Sequence, residues 1–253
     1  MIQATLRRTI KPYTEPNPLQ IFGSSLIAWY RTGAYLDTEL ISNVSGPVYC
    51  QSNGDVLAQW NDRSSNGYNL SQVTLAYQQT YSKTVTLNGI PTIANNSNSD
   101  QISYAPALNS SYTAISVFMV VKPNSVAVTG TWFDTNTVGG PTRYFIRLTS
   151  SGFWVLYSNG TTSANGPAAT TGWTKINAVF NGASSLLRTN GGADSNLSIT
   201  AGSFGANGIL LGAGGSGSSY ANGNYAEVVI AGVAATPTQR NQLDSYALGQ
   251  WGF

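Results

Sequence analysis

The chain has 253 residues, 9% of them charged, with a net charge of +2 and no histidine. The missing histidine removes the commonest general base and the commonest metal ligand, and a lone Cys50 excludes an internal disulfide. No Lys/Arg run exceeds the pair Arg7-Arg8, so neither a basic nucleic-acid face nor, with no run of ~18 apolar residues, a membrane-spanning helix is expected.

Residues 1–22 stand apart from the rest. Pro12, Pro16 and Pro18 fix φ and remove hydrogen-bond donors, and Arg7, Arg8, Lys11 and Glu15 concentrate charge. The stretch reads as an extended arm preceding one domain at 23–253. Arg7, Arg8, Ile10 and Lys11 are its candidate contacts with neighbouring proteins. It has no apolar core of the secretory type, so synthesis and folding in a cytoplasm are expected.

From residue 26 onward, short apolar or alternating runs predict strands at 26–30, 56–60, 84–87, 91–93, 101–104, 114–122, 129–133, 143–148, 152–157, 173–180, 184–188, 208–211 and 225–233. Nine Asn-Gly dipeptides, at 53, 66, 88, 159, 165, 181, 190, 207 and 222, punctuate them. Both residues tolerate positive φ, so each is a hairpin-turn signal. The run at 114–122 is nearly all apolar, which predicts cover on both its faces. In 143–148, Tyr144, Ile146 and Leu148 share one face. One helix is predicted, opened by Thr236-Pro237-Thr238-Gln239 as a capping box with proline at its first position. Leu243, Tyr246, Ala247 and Trp251 then recur at helical spacing. Stacked antiparallel strands at this spacing imply an all-β, two-sheet antiparallel sandwich with a C-terminal helix.

Trp29, Trp60, Trp173 and Trp251 fall where core rings belong. Asp62 sits where an Asx turn caps the loop after Trp60, and Glu227, among apolar neighbours, is expected to pair with an arginine such as Arg240. A sugar site needs exposed rings beside amides and hydroxyls. Trp132, Trp154, Tyr157 and Tyr220, near turns or in polar strands, are the candidates. No cofactor is required. Calcium stays open, with Asp62, Asn66 and Asn69, or Asp134 and Asn136, as oxygen donors.

Six stretches in order carry a family resemblance: Leu26-Ile-Ala-Trp-Tyr30, Gly54-Asp-Val56, Trp60-Asn-Asp-Arg-Ser-Ser-Asn-Gly67, Asn88-Gly-Ile-Pro91, the apolar strand at 115–121, and Ala226-Glu-Val-Val-Ile230 followed by the helix ending in Trp251-Gly252. Together they resemble the concanavalin A-like lectin/glucanase superfamily in its laminin-G-like jelly-roll branch, which is frequent in tailed-bacteriophage structural proteins. The resemblance implies a jelly roll displayed on a virion as a decoration, fibre or baseplate component. Its partners would be other virion proteins held through the arm, with self-association open. The alternative it implies is a carbohydrate-binding module for host or surface glycans. Glucanases of the superfamily use glutamates paired a few residues apart. Here Glu15, Glu39 and Glu227 are scattered, so a non-enzyme is expected.

Overall fold

The computed structural model describes residues 15–33, 39–43, 48–96, 99–104, 108, 112–135, 143–200, 208–215 and 219–253. In chain order the first elements are helix α1 (Pro18–Phe22) and strands β1 (Leu26–Arg31), β2 (Leu40–Asn43), β3 (Val48–Tyr49), β4 (Gln59–Trp60), β5 (Leu70–Ser71), β6 (Thr80–Leu87), β7 (Ile90–Asn96), β8 (Ile102–Tyr104) and β9 (Ile115–Pro123). There follow β10 (Gly130–Asp134), β11 (Tyr144–Leu148), β12 (Trp154–Ser158), β13 (Thr161–Thr162), β14 (Thr174–Phe180), β15 (Leu186–Thr189), β16 (Ser195–Asn196), β17 (Ile209–Leu211), β18 (Asn222–Ala231) and helix α2 (Pro237–Trp251).

Two antiparallel sheets form a sandwich, as expected. One has eight strands in the order β16-β15-β14-β9-β18-β7-β6, with β1 also on β18. The other has ten, in the order β13-β12-β11-β10-β17-β8-β5-β4-β2-β3. Alternation of side chains sends Val117, Met119 and Val121 of β9 into the core between the sheets, with Trp60, Trp132, Phe133 and Trp154. Phe118 and Val120 of the same strand point the other way, into a second apolar layer with Trp29, Val229, Leu243, Tyr246 and Trp251. Both faces of 115–121 are therefore covered, which is why the run is apolar on both but for Ser116, whose buried hydroxyl donates to Val233 O.

The second layer is closed by α2. Thr236 caps it: its side chain accepts from Gln239 N at 3.2 Å, and Gln239 Oε1 accepts from Thr236 N at 3.0 Å. Gln239 Nε2 also donates to Ile21 O at 3.2 Å, tying α2 to α1. Thr236→Ala removes the acceptor for one helix N–H and is expected to cost about 1 kcal/mol. A thermal melt checks this, and an unshifted midpoint would count against the cap.

The N-terminal reading is corrected in part. Residues 18–22 are not extended. Asn17 accepts from Gln20 N, Gln20 answers the cap, and Pro18 occupies the first turn, where its missing N–H costs nothing. Ile21 and Phe22 are buried in the second layer with α2. Arg7, Arg8, Ile10 and Lys11 lie outside the described residues.

Candidate functional site

The outer face of the eight-stranded sheet carries both described helices, and the outer face of the ten-stranded sheet carries neither. On that second sheet the core takes Leu156, Ile146, Leu211, Ile102, Leu70 and Trp60, so the residues beside them along each strand point outward. One register line of outward residues crosses the whole sheet. Tyr157 lies opposite Phe145, Phe145 opposite Asp134, and Asp134 opposite Leu210. The line continues through Ser103, Ser71 and Gln59 to Ile41. Its two halves differ in chemistry.

The half on β10–β12 is aromatic and charged. Phe145 and Tyr157 stack with centroids 4.3 Å apart and planes 7° from parallel. Along β11 the outward residues are Arg143, Phe145 and Arg147. The Arg143 guanidinium lies 4.9 Å from the Phe145 centroid and 5.5 Å from that of Tyr157, and Arg147 lies 4.4 Å from Phe145. Arg147 Nε donates to Thr131 Oγ1 at 3.3 Å. Asp134 is fully buried beside them. Its Oδ2 accepts from Gly215 N at 2.8 Å and sits 3.4 Å from Arg143 Nη1. Burial pushes its carboxyl up to about 6, against the pull of the Gly215 N–H and of Arg143. Burial and the like charge of Arg143 together lower Arg147.

The other half is neutral. A groove of about 550 Å³ lies over β2, β4 and β5, lined by Gln59, Ser71, Gln72, Gln78, Ser42 and Val73 among others. Its size falls in the usual small-ligand range of about 300–1,000 Å³. Gln78 Nε2 donates to Gln72 O at 2.6 Å.

Of the four rings expected to be exposed, Trp132 and Trp154 are core residues, 1% and 0% exposed. They form an edge-on pair 5.8 Å apart, and Trp132 also packs on Tyr225 at 5.1 Å. A register shift between Thr131 and Phe133 turns Trp132 inward beside Phe133, and Trp154 is the inward alternate to Val155. Neither can offer a face to a sugar. Tyr157 does point outward, half-buried, on Phe145. Tyr220 is half-buried and bridges to Thr131 of β10. Arg143, Phe145 and Arg147 were not among the candidates, and Asp134 was named only as a calcium donor. The first three were legible as the alternates to Tyr144, Ile146 and Leu148.

Glu227 lies on the opposite face of the molecule, sealed in the second apolar layer. It accepts from Trp29 Nε1, Tyr246 OH and Trp251 Nε1, each at 2.6 Å. The expected partner Arg240 is elsewhere, donating to Ala235 O and to Asp194. Asp62 does cap its loop, with Ser64 N on Oδ1 at 2.8 Å. Trp29 N, Tyr68 N and the Ser64 hydroxyl also bond its carboxylate, while Asn66 Nδ2 donates to Leu26 O and Ile27 O. Those oxygens are engaged by protein donors. Asn136 of the second set lies outside the described residues. No group of three or more His, Cys, Asp or Glu converges among the described residues.

No protein-family model and no curated protein matches the chain. Solved structures do match in shape. A GH54 α-L-arabinofuranosidase soaked with a cyclic sulfate inhibitor aligns with a TM-score of 0.71 at 15% identity, over 92% of this chain and 65% of that one. An arabinofuranosidase complexed with arabinofuranosyl-α-1,2-xylobiose aligns at 0.68 and 14% identity, again over 92% and 65%. Domain 4 of AbnA, a GH43 extracellular arabinanase from Geobacillus stearothermophilus, in complex with arabinotriose, aligns at 0.55 and 19% identity, over 87% of this chain and 98% of that one. The chain thus spans 65% of the length of the arabinofuranosidases it matches. At these identities the likeness shows the fold, a lectin-like β-sandwich.

Two expectations are overturned by these findings. The similar structures are glycosidases and a domain holding an arabinose oligomer, and they give a phage structural role no support. The expected non-enzyme falls as well, because this sandwich is the frame of arabinofuranosidases. The physical reason is plain. Glycoside hydrolysis runs on carboxyl groups and needs no histidine, and strands distant in sequence can bring carboxyl groups together.

Proposed function

We propose that this chain recognises glycans on the outward face of the ten-stranded sheet, with arabinose-containing chains as the first class to test. The observation that carries the reading is the register line itself. A stacked aromatic pair stands at one end of it and an amide- and hydroxyl-lined groove at the other. Rings take the apolar C–H faces of sugars, and amides and hydroxyls read their hydroxyl groups. The likeness to a domain in complex with arabinotriose supports the ligand class. Calorimetry with arabinotriose, beside a glycan array, tests it. Binding is expected, and Tyr157→Ala is expected to weaken it roughly three- to tenfold. Silence across the array would end the reading.

A second reading is favoured by Asp134. A carboxyl raised to about 6 by burial lies in the range of a general acid, and because its side chain is fully buried it would have to become exposed to reach a departing sugar oxygen. Hydrolysis would also require a second carboxyl group about 5–10 Å away. Release of 4-nitrophenol from 4-nitrophenyl α-L-arabinofuranoside, lost in Asp134→Asn, is the expected result. A complete absence of turnover in the wild type leaves recognition alone.

A further inference from the structure

We infer that the β10–β12 end of this face is an anion subsite that selects glycans carrying a carboxylate, of the uronic-acid type. The inference rests on the glycan-recognition reading and adds a substrate class to it. Arg143 and Arg147 flank the same ring, Phe145, at 4.9 and 4.4 Å. A guanidinium held over a ring keeps most of its hydrogen-bonding capacity. Only one carboxyl group, Asp134, answers them among the described residues, 3.4 Å from Arg143 and acting on Arg147 from farther away. Arg147 spends its Nε on Thr131. Its Nη groups have no acceptor among the described residues, on a side chain that is partly exposed.

Two cations held close by a shared ring, with one carboxylate between them, leave an uncompensated positive charge. Like charges this near repel, so an arrangement that keeps them together favours an anion from outside. A planar carboxylate fits a guanidinium fork with two parallel hydrogen bonds, and the partly exposed ring of Tyr157, backed by the buried Phe145, offers the apolar surface a sugar ring needs. A neutral sugar would use the rings and leave the charge unanswered. The neutral groove over β2, β4 and β5 shows the contrast, since its lining carries no charged side chain.

The test uses the full chain with two probes, trigalacturonate and arabinotriose, at pH 7 in low and high salt. Trigalacturonate is expected to bind the wild type at least tenfold more tightly than arabinotriose, with the advantage shrinking as salt rises. Arg147→Gln is expected to lose that tenfold advantage while arabinotriose binding stays. Arg147→Lys is expected to keep part of it, because the charge survives without the fork. Arg143→Gln serves as the second variant if Arg147→Gln does not fold. Arabinotriose binding without trigalacturonate binding, or an advantage unmoved by both glutamine variants, overturns the subsite and leaves glycan recognition standing. If neither probe binds and the array is silent, recognition itself has failed and the subsite falls with it.

Discussion

Glu227→Leu is expected to destabilise the protein by about 4 kcal/mol, the largest loss among the substitutions considered. The carboxylate is fully buried and holds three donors from two elements, Trp29 on β1 and Tyr246 and Trp251 on α2, while Glu227 itself belongs to β18. Leucine fills the space but accepts nothing. Two indole N–H groups and a phenol are then buried without an acceptor, each costing about 1–3 kcal/mol. Arg31, opposite Glu227 in the β1–β18 pairing, also loses a counter-charge. For a chain of this length that corresponds to roughly 10 °C in melting temperature.

Glu227→Gln separates the hydrogen bonds from the packing. The amide oxygen can stand in for Oε1 and keep Trp29 and Tyr246, but its NH₂ then faces the Trp251 N–H, donor against donor. The expected cost is about 1–3 kcal/mol, between wild type and leucine. Urea unfolding of both variants measures this. A leucine variant as stable as wild type would show that the three contacts carry no net stability. The clasp also explains why a glutamate in an apolar strand is not a catalytic candidate: both carboxylate oxygens are taken by three protein donors.

How much of this was legible in the sequence varied with how local the determinant is. The double cover of 115–121 and the helix after Thr236 follow from periodicity and capping within a few residues, and both were readable. Asn-Gly was a sound hairpin signal at Asn88-Gly89, where φ is +52° and +77° between β6 and β7. It was not one at Asn222-Gly223, which lies inside β18. There glycine answers close approach, since a Cβ would sit 2.1 Å from Lys122 O. At Asn181-Gly182 the glycine opens a 3-10 turn. The inward turn of Trp132 depends on the register shift against β11, and no pattern in 129–133 announces a shift set by a partner strand. The Arg143-x-Phe145-x-Arg147 face could be read from one strand. That Asp134, Tyr157 and the groove residues share its line required knowing that β10 and β12 flank it and that β17 lies beyond β10. Pairing of that kind is non-local and leaves no local mark. The short helix at 18–22 was hidden differently: Pro18 fits an extended arm and a first helical turn equally well, and the Asn17–Gln20 cap decides.

Asp134→Asn is expected to change how stability depends on pH, with a sign opposite to that of a salt-bridged surface carboxylate. In the folded chain the carboxyl titrates at about 6, raised from 3.8 because burial outweighs the Gly215 N–H and Arg143. Between those values the folded state holds a proton that the unfolded state has released. Stability therefore falls as pH rises through about 4 to 6 and stays lower above it. A rise of about two units is worth roughly 3 kcal/mol. Asparagine cannot ionise, so this share of the pH dependence disappears. Relative to wild type, the variant should gain roughly 3 kcal/mol on going from pH 4 to pH 7, whatever its absolute offset from altered contacts with Gly215 and Arg143. Glu227, Asp100 and Asp244 are also raised by burial, so the wild-type curve alone cannot assign the effect, and the difference between the two proteins can. Urea midpoints at four pH values between 4 and 7 measure it. A gap constant to within about 0.5 kcal/mol would mean that Asp134 stays ionised throughout. Its burial would then be fully offset by the Gly215 N–H and the two arginines.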